Sequence, residues 1–373
     1  MGTSSCSRRC PLITLFCVRP RGFNIGNDTI FLGLRHLLRE AFGHPVNIVQ
    51  VAASGGGNEA ELSGLKARTI HEMNLYGHGV IVGGGNLYEN GQLDIDPNAL
   101  RALRPPLMLF SLSHGRIYDH RHELVPRTDA MPGALVAALH ERADRSVARD
   151  DATLDYLRSM GLSGPVLGGC PSLLVRKLAI PQADFAGQGN GSLLSIRHPR
   201  LMSIPLRHQA RLHSTIVDLI AALGEDGFGP VRILCHDTRD VAFASSLGEV
   251  EYIVADDVQS HLGLLRSARL VVSFRLHAFL PCISFGTPAI NISYDERSLS
   301  LVRTIGMESW DIDFIHSPDV VAEVRRRCAR LDDLAALRLA VQPRWEQLES
   351  TMRDEMSTFA GLVKAYSAQR PAG

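Results

Sequence analysis

The sequence has no excess of either charge, because 39 lysines and arginines are balanced by 39 aspartates and glutamates. Proteins that bind nucleic acid or other polyanions usually carry a basic excess, so we expect no nucleic-acid partner. The chain also lacks any run of about 18 apolar residues, the length that a membrane-spanning helix needs, so we expect no transmembrane segment. Neither absence excludes a local basic pocket for a small anion.

Cysteine is scarce and scattered along the chain. The seven cysteines are odd in number and include no Cys-x-x-Cys pair, which argues against a disulfide framework and a structural zinc site. Residues 119–123, Asp-His-Arg-His-Glu, are of metal-binding types but lack a partner motif, so we predict a solvated loop and no metal site. Residues 10–18 faintly imitate a signal peptide, but no cleavage site follows, and a first β-strand fits better. A reducing compartment and a cytoplasmic location are therefore expected.

What the chain does contain is a regular alternation of short apolar runs and amphipathic helical patterns, which is typical of parallel sheets. With 373 residues it is long for a single core, so we predict two domains. Residues 181–190 are rich in turn-forming residues and divide the chain into residues 1–183 and 184–373. The predicted fold is α/β, with two tandem Rossmann-like, doubly wound domains that face a central crevice.

In such folds the carboxyl ends of the strands face the ligand crevice. The first domain is expected to place these candidate acceptor-binding residues there: Asn24, Asn27, Asp28, Gly84, Asn86, His114 and Arg116. Asn27 or Asp28 is expected to cap a helix over residues 29–42. The glycine spacing matches neither a dinucleotide fingerprint nor a Walker motif, so we predict no such cofactor.

The second domain contains the stretch with the most chemistry. Buried strands are predicted over residues 270–273 and 289–293, with a short helix over 278–285 between them. Arg275 and His277 interrupt the apolar pattern beside the start of that helix, where an anion is readily bound. The alternative is a structural ion pair for Arg275 and a core position for His277. Further candidates at strand ends are Arg197, His236, Tyr294 and Asp295.

Several of these landmarks occur together in one known family. The specific part is Ser273-Phe-Arg-Leu-His277, followed by Phe285-Gly-x-Pro288 and Tyr294-Asp295. Weaker landmarks in the same order are Asn27-Asp28, Gly83-Gly-Gly-Asn86, Arg149-Asp150 and Ser195-x-Arg197. On these motifs the chain resembles the polysaccharide pyruvyl transferases over nearly its whole length.

The resemblance implies a GT-B-like fold and a donor, phosphoenolpyruvate, whose pyruvyl group becomes a ketal on two hydroxyls of a sugar, often in a cell-surface glycan. It also implies that Arg275, Leu276 and His277 form the donor site, with His277 and Arg275 catalytic, and that Arg197 is the family's second-domain arginine. No cofactor besides the donor substrate is implied. The expected partners are phosphoenolpyruvate and a sugar or glycan acceptor.

The chain departs from the family pattern at three places. Asn27-Asp28 stands where Gly-Asp is frequent, and Arg297 stands near the position of a common lysine. Between Leu109 and Arg116, Ser-Leu-Ser-His-Gly replaces a glycine-rich Gly-Pro loop. Because that loop is a candidate for contact with the acceptor, the acceptor is the least defined part of the prediction.

The residue chemistry fits the same function independently. Two arginines suit the phosphate and the carboxylate of phosphoenolpyruvate, and a histidine with an ordinary pKa of about 6.5 suits an acid or a group that stabilises the leaving phosphate. The alternatives are a GT-B glycosyltransferase that uses a nucleotide sugar and a non-catalytic glycan-binding relative. A long helix over residues 334–366 is expected to pack back across the domains. The sequence does not determine whether the protein forms a homo-oligomer. It also does not determine whether the acceptor is a polymer, a lipid-linked sugar or a small metabolite.

Overall fold

The computed structural model describes residues 12–20, 24–55, 62–89, 91–182 and 191–370. Their main feature is a pair of six-stranded sheets in which every pairing is parallel. This arrangement confirms the predicted α/β fold with two Rossmann-like halves.

The first half contains the first sheet and a small antiparallel hairpin. Its strands are β1 (Thr14–Arg19), β2 (Asn47–Ala52), β3 (Gly79–Gly85), β4 (Leu107–Leu112), β5 (Ile117–Tyr118), β6 (Leu124–Val125), β7 (Arg145–Ala148) and β8 (Val166–Leu167). Its helices are α1 (Ile25–Phe42), α2 (Ala67–Tyr76), α3 (Pro97–Arg101), α4 (Gly133–Arg142) and α5 (Asp151–Ser159). The sheet order is β2-β1-β3-β4-β7-β8, and β5 pairs with β6.

The second half repeats the plan. Its strands are β9 (Ser192–Ser195), β10 (Val231–Cys235), β11 (Tyr252–Val254), β12 (Val271–Ser273), β13 (Ala289–Ser293) and β14 (Asp311–Asp313). Its helices are α6 (Leu206–Leu223), α7 (Thr238–Ser245), α8 (Val258–Ser267), α9 (Leu276–Phe285), α10 (Glu296–Thr304), α11 (Val320–Cys328) and α12 (Leu331–Gln369). The order β11-β10-β9-β12-β13-β14 places β9, β12 and β13 at the centre. Every residue of β12 and β13 is buried, as expected for strands covered by helices on both faces.

Two helices begin earlier than predicted, and both starts matter for the site. Helix α1 begins at Ile25, and Asn24 is its cap, because its side-chain oxygen accepts a hydrogen bond from the Gly26 amide at 3.2 Å. The prediction that Asn27 or Asp28 caps this helix is wrong, since both lie within its first turn. Helix α9 begins at Leu276, so that His277 lies in a first turn and not in a loop.

The last helix crosses from one half to the other. Leu334 and Trp345 pack in the core of the second half, whereas Met352, Met356 and Phe359 pack beneath the first sheet. The predicted packing across the domains is therefore confirmed, and the division at residues 183 and 184 stays a prediction. Within the part of the chain that the structure describes, no helix is long and apolar enough to cross a membrane.

Direct contacts join the halves beside the facing sheet edges. The Arg116 amide donates to a Glu296 carboxylate oxygen at 2.9 Å, and its guanidinium Nε donates to the same carboxylate at 3.0 Å. At the start of α1, the Ile25 amide donates to the His236 carbonyl at 3.0 Å. These bonds hold the carboxyl ends of the two sheets opposite each other, which is where ligands bind in this kind of fold.

Candidate active site

A cleft of about 630 Å³, counting the part open to solvent, lies between the carboxyl ends of the two sheets. It is lined by Asn24, Asn27, Asn86, Arg149, Arg197, Phe274, Arg275, Leu276, His277, Tyr294, Asp295, Arg297 and Ser298. Most of these side chains follow the last residue of a strand directly or within a few residues. The cleft therefore collects residues that are far apart in the sequence.

Arg275 is the N-cap residue of α9 and is buried at the cleft wall. Its guanidinium donates to the Asn24 side-chain oxygen at 2.8 Å and to the Asp240 carboxylate at 3.2 Å. Burial, together with the nearby positive charge of Arg197, lowers the pKa of Arg275 to about 10. Arg275 thus has a structural ion pair and also lines the cleft. An anionic ligand there would stabilise its charge.

His277 is half-buried and lies in the first turn of α9. Burial, with Arg149 and Arg275 adding to it, lowers the pKa of His277 to about 3. The imidazole is therefore neutral near pH 7, and the expectation of an ordinary pKa is wrong. Helix α1 packs against this ring through Gly26, where an added Cβ would lie 2.7 Å from the His277 Cβ. A larger residue at position 26 would displace the imidazole.

Arg149 and Arg197 approach the cleft from opposite halves. Arg197 donates from Nε to the Leu201 carbonyl at 3.0 Å, and no carboxylate among the described residues forms an ion pair with it. Arg149 follows β7, is buried, and has its Nε 3.5 Å from an Asp150 carboxylate oxygen. Like charges in a partly buried site raise its affinity for an anion, because the anion relieves their repulsion.

Three asparagines line the side of the cleft that α1 and the turn after β3 form. Asn24 both caps α1 and accepts from Arg275, so its position is fixed by two elements. Asn27 and Asn86 lie near it. Amide side chains offer both donors and an acceptor without charge, which suits sugar hydroxyls.

A second ionic cluster borders the cleft at the start of α10. Arg297 donates from Nε to the Asp295 carboxylate at 3.0 Å and from Nη1 to the Glu89 carboxylate at 3.1 Å. The Asp295 side chain also caps α10 by accepting from the Ser298 amide at 3.1 Å. Glu89 belongs to the first half and Arg297 to the second, so this ion pair crosses the domain boundary.

Two of the predicted crevice residues turn out to have structural roles in the first half. The Asp28 carboxylate lies outside the cleft, because it pairs with Arg19. Gly84 has a φ of 76° and packs against Ile30, where an added Cβ would lie 2.4 Å from the Ile30 Cγ2. Gly84 therefore allows α1 to approach the sheet closely and does not line the cleft.

His114 and Arg116 also lie outside the cleft, contrary to their predicted role as acceptor contacts. The His114 ring stacks on Tyr156 with ring centroids 3.8 Å apart. Arg116 is committed to the Glu296 carboxylate at the domain junction. The chemistry of these residues is used for packing and for holding the halves together.

His236 lies behind the cleft wall and not in it. Its Nε2 shares a 2.9 Å hydrogen bond with the Ser195 hydroxyl, and its ring lies 4.5 Å from that of His261, centroid to centroid. Burial, with His261 and Arg275 adding to it, lowers the pKa of His236 well below its usual value. His236 is therefore not among the residues that line the cleft, and its predicted contact with a ligand stays a prediction.

Arg149 and Arg297 line the cleft but were not among the predicted site residues. Arg149 stands directly after β7, so the rule of strand ends could have found it. Arg297 lies two residues after Asp295 and was noted only as a departure from the family pattern. Neither the strand end nor the departure from the family pattern predicted that these two side chains line the same cleft.

Residues 119–123 form the turn of the β5–β6 hairpin and do not contribute to the cleft. The Asp119 carboxylate accepts from the amides of Arg121 and Glu123 at 2.8 and 3.0 Å, which explains the sharp turn. Among the residues that the structure describes, no group of three or more His, Cys, Asp or Glu side chains is placed to hold a metal ion.

Two Rossmann-like sheets with a cleft between their carboxyl ends define a protein of the GT-B structural class. The sequence model of the family "polysaccharide pyruvyl transferase" matches residues 24–296, more than half of the 373 residues. The chain therefore belongs to the polysaccharide pyruvyl transferase family, a family of transferases. A comparison with curated proteins found no match.

Solved structures with the same fold are remote in sequence. A UDP-GlcNAc 2-epimerase from Neisseria meningitidis is similar with a TM-score of 0.56 and 10% identity, over 87% of this chain and 93% of that one. S. aureus MnaA bound to UDP is similar with a TM-score of 0.55 and 12% identity, over 87% of this chain and 89% of that one. A UDP-forming trehalose-phosphate synthase from Burkholderia xenovorans is similar with a TM-score of 0.54 and 11% identity, over 95% of this chain and 99% of that one. At these identities the likeness establishes the fold alone.

Proposed function

We propose that the protein transfers the pyruvyl group of phosphoenolpyruvate to two hydroxyls of a sugar and forms a pyruvate ketal, in the synthesis of a surface polysaccharide or glycan. The observation that carries the proposal is the positive cleft between the sheets, which Arg149, Arg197 and Arg275 line together with a half-buried, neutral His277. Family membership supports pyruvyl transfer, and the charge of the cleft supports this donor.

The arginines suit both anionic groups of the donor. Phosphoenolpyruvate carries a phosphate and a carboxylate, and each is bound well by the planar fork of a guanidinium. Arg275 is positioned by Asn24 and Asp240, so it is ready to bind without reorganisation. Arg197 has a side chain that no carboxylate of the described residues neutralises, so its charge is available to a ligand. Arg149 adds a positive charge from the other half.

His277 gives the site a group that gains a proton when the donor binds. Its pKa of about 3 reflects burial beside Arg149 and Arg275. A bound phosphate dianion favours the charged imidazole and raises this pKa. The ring then has a proton to donate to the vinyl carbon or to the leaving phosphate, which is worth roughly 10²–10⁴-fold in rate.

The reaction balances without any further reactant. One hydroxyl proton converts the vinyl CH₂ of the donor into a methyl group, and the two hydroxyl oxygens bond to the neighbouring carbon. The bond from that carbon to the phosphate oxygen breaks, and the second hydroxyl proton leaves with the phosphate. Asn24, Asn27 and Asn86 are the proposed contacts for the sugar, with Tyr294 beside the arginines.

The proposal is tested by incubating the purified protein with phosphoenolpyruvate and a panel of oligosaccharides and glycolipids. We expect acceptor-dependent release of phosphate and a ketal methyl signal in the product by NMR. His277→Gln is expected to lower the rate roughly 10²–10⁴-fold while donor binding persists. No phosphate release with any acceptor, together with no stabilisation by phosphoenolpyruvate, would contradict the proposal.

A second candidate function is glycosyl transfer from a nucleotide sugar, because relatives in fold include a protein bound to UDP and a UDP-forming synthase. The arginines would then bind a diphosphate. Melting curves with UDP and UDP-sugars beside phosphoenolpyruvate separate the two candidates. Stabilisation by the nucleotide alone favours glycosyl transfer, and stabilisation by phosphoenolpyruvate alone favours pyruvyl transfer.

A further inference from the structure

Glu89 is a buried carboxylate that the proposed mechanism does not use. It is 1% exposed, and its Oε1 has no hydrogen-bond partner among the residues that the structure describes. Its Oε2 is shared between Arg297 Nη1 at 3.1 Å and Arg127 Nε at 3.4 Å. Arg127 also binds the Asp129 carboxylate with two hydrogen bonds of 2.8 and 2.9 Å. Glu89 therefore has two arginine neighbours, and each of them also forms an ion pair with an aspartate.

The cleft side of this cluster is formed by Arg297, whose guanidinium also binds Asp295. The carbon chain of Arg297 is held by Gly115, where an added Cβ would lie 2.3 Å from the Arg297 Cγ. Arg297 consequently cannot leave the cleft wall easily. Its effect on a bound anion depends on how many of its two carboxylate neighbours are charged.

The charged groups that act on Glu89 are Arg297, Asp295, Arg127 and Arg149. Burial is the largest influence and raises the pKa of Glu89 to about 7, with the Asp295 charge adding to it and the three arginines opposing it. A carboxyl with this pKa changes its charge within the physiological range. Most surface carboxylates are fully ionised there.

We propose that Glu89 is a positioning residue that acts through Arg297 as its removable counter-ion, and that the charge of Glu89 sets the affinity of the cleft for phosphate-bearing ligands. When Glu89 is ionised, Arg297 is neutralised by two carboxylates. When Glu89 is protonated, only Asp295 remains opposite Arg297, and the cleft is more positive by one charge. The nature of the ligand, phosphoenolpyruvate, rests on the proposed function, whereas the role of Glu89 concerns any phosphate bound in the cleft.

The sign of the pH effect follows from this arrangement. The affinity of the cleft for phosphate is highest below pH 7, where Glu89 is mostly protonated, and it falls as pH rises through the pKa of Glu89. Glu89→Gln has no charge at any pH and keeps an oxygen for Arg297. Wild type and Glu89→Gln should therefore bind alike at about pH 6 and differ at about pH 8, where the variant binds roughly five- to tenfold more tightly.

The test measures the dissociation constants of inorganic phosphate and of phosphoenolpyruvate for wild type, Glu89→Gln and Asp129→Asn at both pH values. The ratio of variant to wild type cancels the titration of the ligand and of His277. Asp129→Asn is the matched control, because it removes one negative charge from the same cluster. Arg127 holds the pKa of Asp129 below its usual value, so its effect should not change between the two pH values.

An equal ratio for Glu89→Gln at both pH values, or weaker phosphate binding by this variant at about pH 8, would overturn the inference. Failure of wild type to bind phosphate at either pH would do the same. If phosphate binds with the expected ratios and phosphoenolpyruvate does not bind, the proposed function fails and the role of Glu89 stands. Should Glu89→Gln not fold, a ¹³C NMR titration of the Glu89 carboxyl in wild type decides, and a transition below about pH 5 would overturn the inference.

Discussion

The two halves line the same cleft with different chemistry. The first half contributes Asn24, Asn27 and Asn86, which are uncharged, together with Arg149. The second half contributes charged and ionisable groups, and its buried strands β12 and β13 end directly before them. The same fold is thus used twice, once to present hydrogen-bonding amides and once to present positive charge.

A second contrast exists within the charged side of the cleft. Arg275 is buried and has Asp240 as its counter-ion, whereas Arg197 is less buried and has no carboxylate partner among the described residues. Arg275 therefore has a structural ion pair in addition to its proposed role in donor binding, whereas the charge of Arg197 has no such pair among the described residues. The comparison shows that one arginine of the cleft is held by a buried counter-ion and the other is not, and it predicts effects of very different size on stability.

The largest effect is expected for Arg275→Ala. Asp240 is fully buried, so removal of its partner leaves an uncompensated charge, which costs about 3–5 kcal/mol of folding free energy. Urea denaturation at pH 7 measures the loss. The double variant Arg275→Ala with Asp240→Asn should recover much of the stability but no donor binding. If Arg275→Ala were as stable as wild type, the claim that Arg275 has a structural role that Arg197 lacks would be contradicted.

Gly26→Ala tests the contact between α1 and the His277 ring. The new Cβ would lie 2.7 Å from the His277 Cβ and 2.9 Å from its Nδ1, so the helix or the ring must move, at a cost of about 1–3 kcal/mol. Turnover should fall with it. Gly361→Ala in α12 is the control, because nothing lies within 4 Å of the new methyl, and it should stabilise by about 0.5–1 kcal/mol. Equal unfolding midpoints for the two variants would refute the predicted contact.

Asn86→Ala tests the amide side of the cleft. In the proposed function, the substitution removes about one hydrogen bond to the acceptor, worth about 0.5–1.5 kcal/mol. The KM for the acceptor should rise several-fold, while the dissociation constant of phosphoenolpyruvate stays at the wild-type value. If only the dissociation constant of phosphoenolpyruvate changed, the first half would also bind the donor, and the proposed division of roles between the halves would be wrong.

The smallest effect on stability is expected for Arg197→Ala. The variant loses the hydrogen bond to the Leu201 carbonyl but also the repulsion from Arg275. The unfolding free energy should therefore change by less than about 1 kcal/mol. Denaturation beside Arg275→Ala checks this, and a loss as large as that of Arg275→Ala would show that Arg197 has a structural partner.

The predicted fold is confirmed, and the residues of the predicted donor site line the cleft, while their roles stay predictions. Buried strands and the rule of strand ends located Arg197, Arg275 and His277. The same rule also selected His114 and Arg116, whose actual partners, Tyr156 and Glu296, lie far along the chain. A pattern of strand ends does not say which side chain turns toward the ligand.

Burial and contacts between residues far apart in the sequence could not be predicted from local patterns. The low pKa of His277 comes from burial and from Arg149 and Arg275, which are brought together only by the tertiary fold. The contact of Gly26 with His277 depends on how α1 of one half meets α9 of the other. The pair of Glu89 and Arg297 spans 208 positions of sequence.

The most direct test of the proposed donor site is thermal unfolding of wild type and Arg197→Ala with and without phosphoenolpyruvate, beside pyruvate, phosphate and UDP. At about 100 times its dissociation constant the donor should stabilise wild type by roughly 2.7 kcal/mol. Arg197→Ala should unfold like wild type without ligand and gain little from phosphoenolpyruvate. Equal stabilisation of both proteins by phosphoenolpyruvate, or stabilisation by UDP alone, would contradict the proposed use of the cleft.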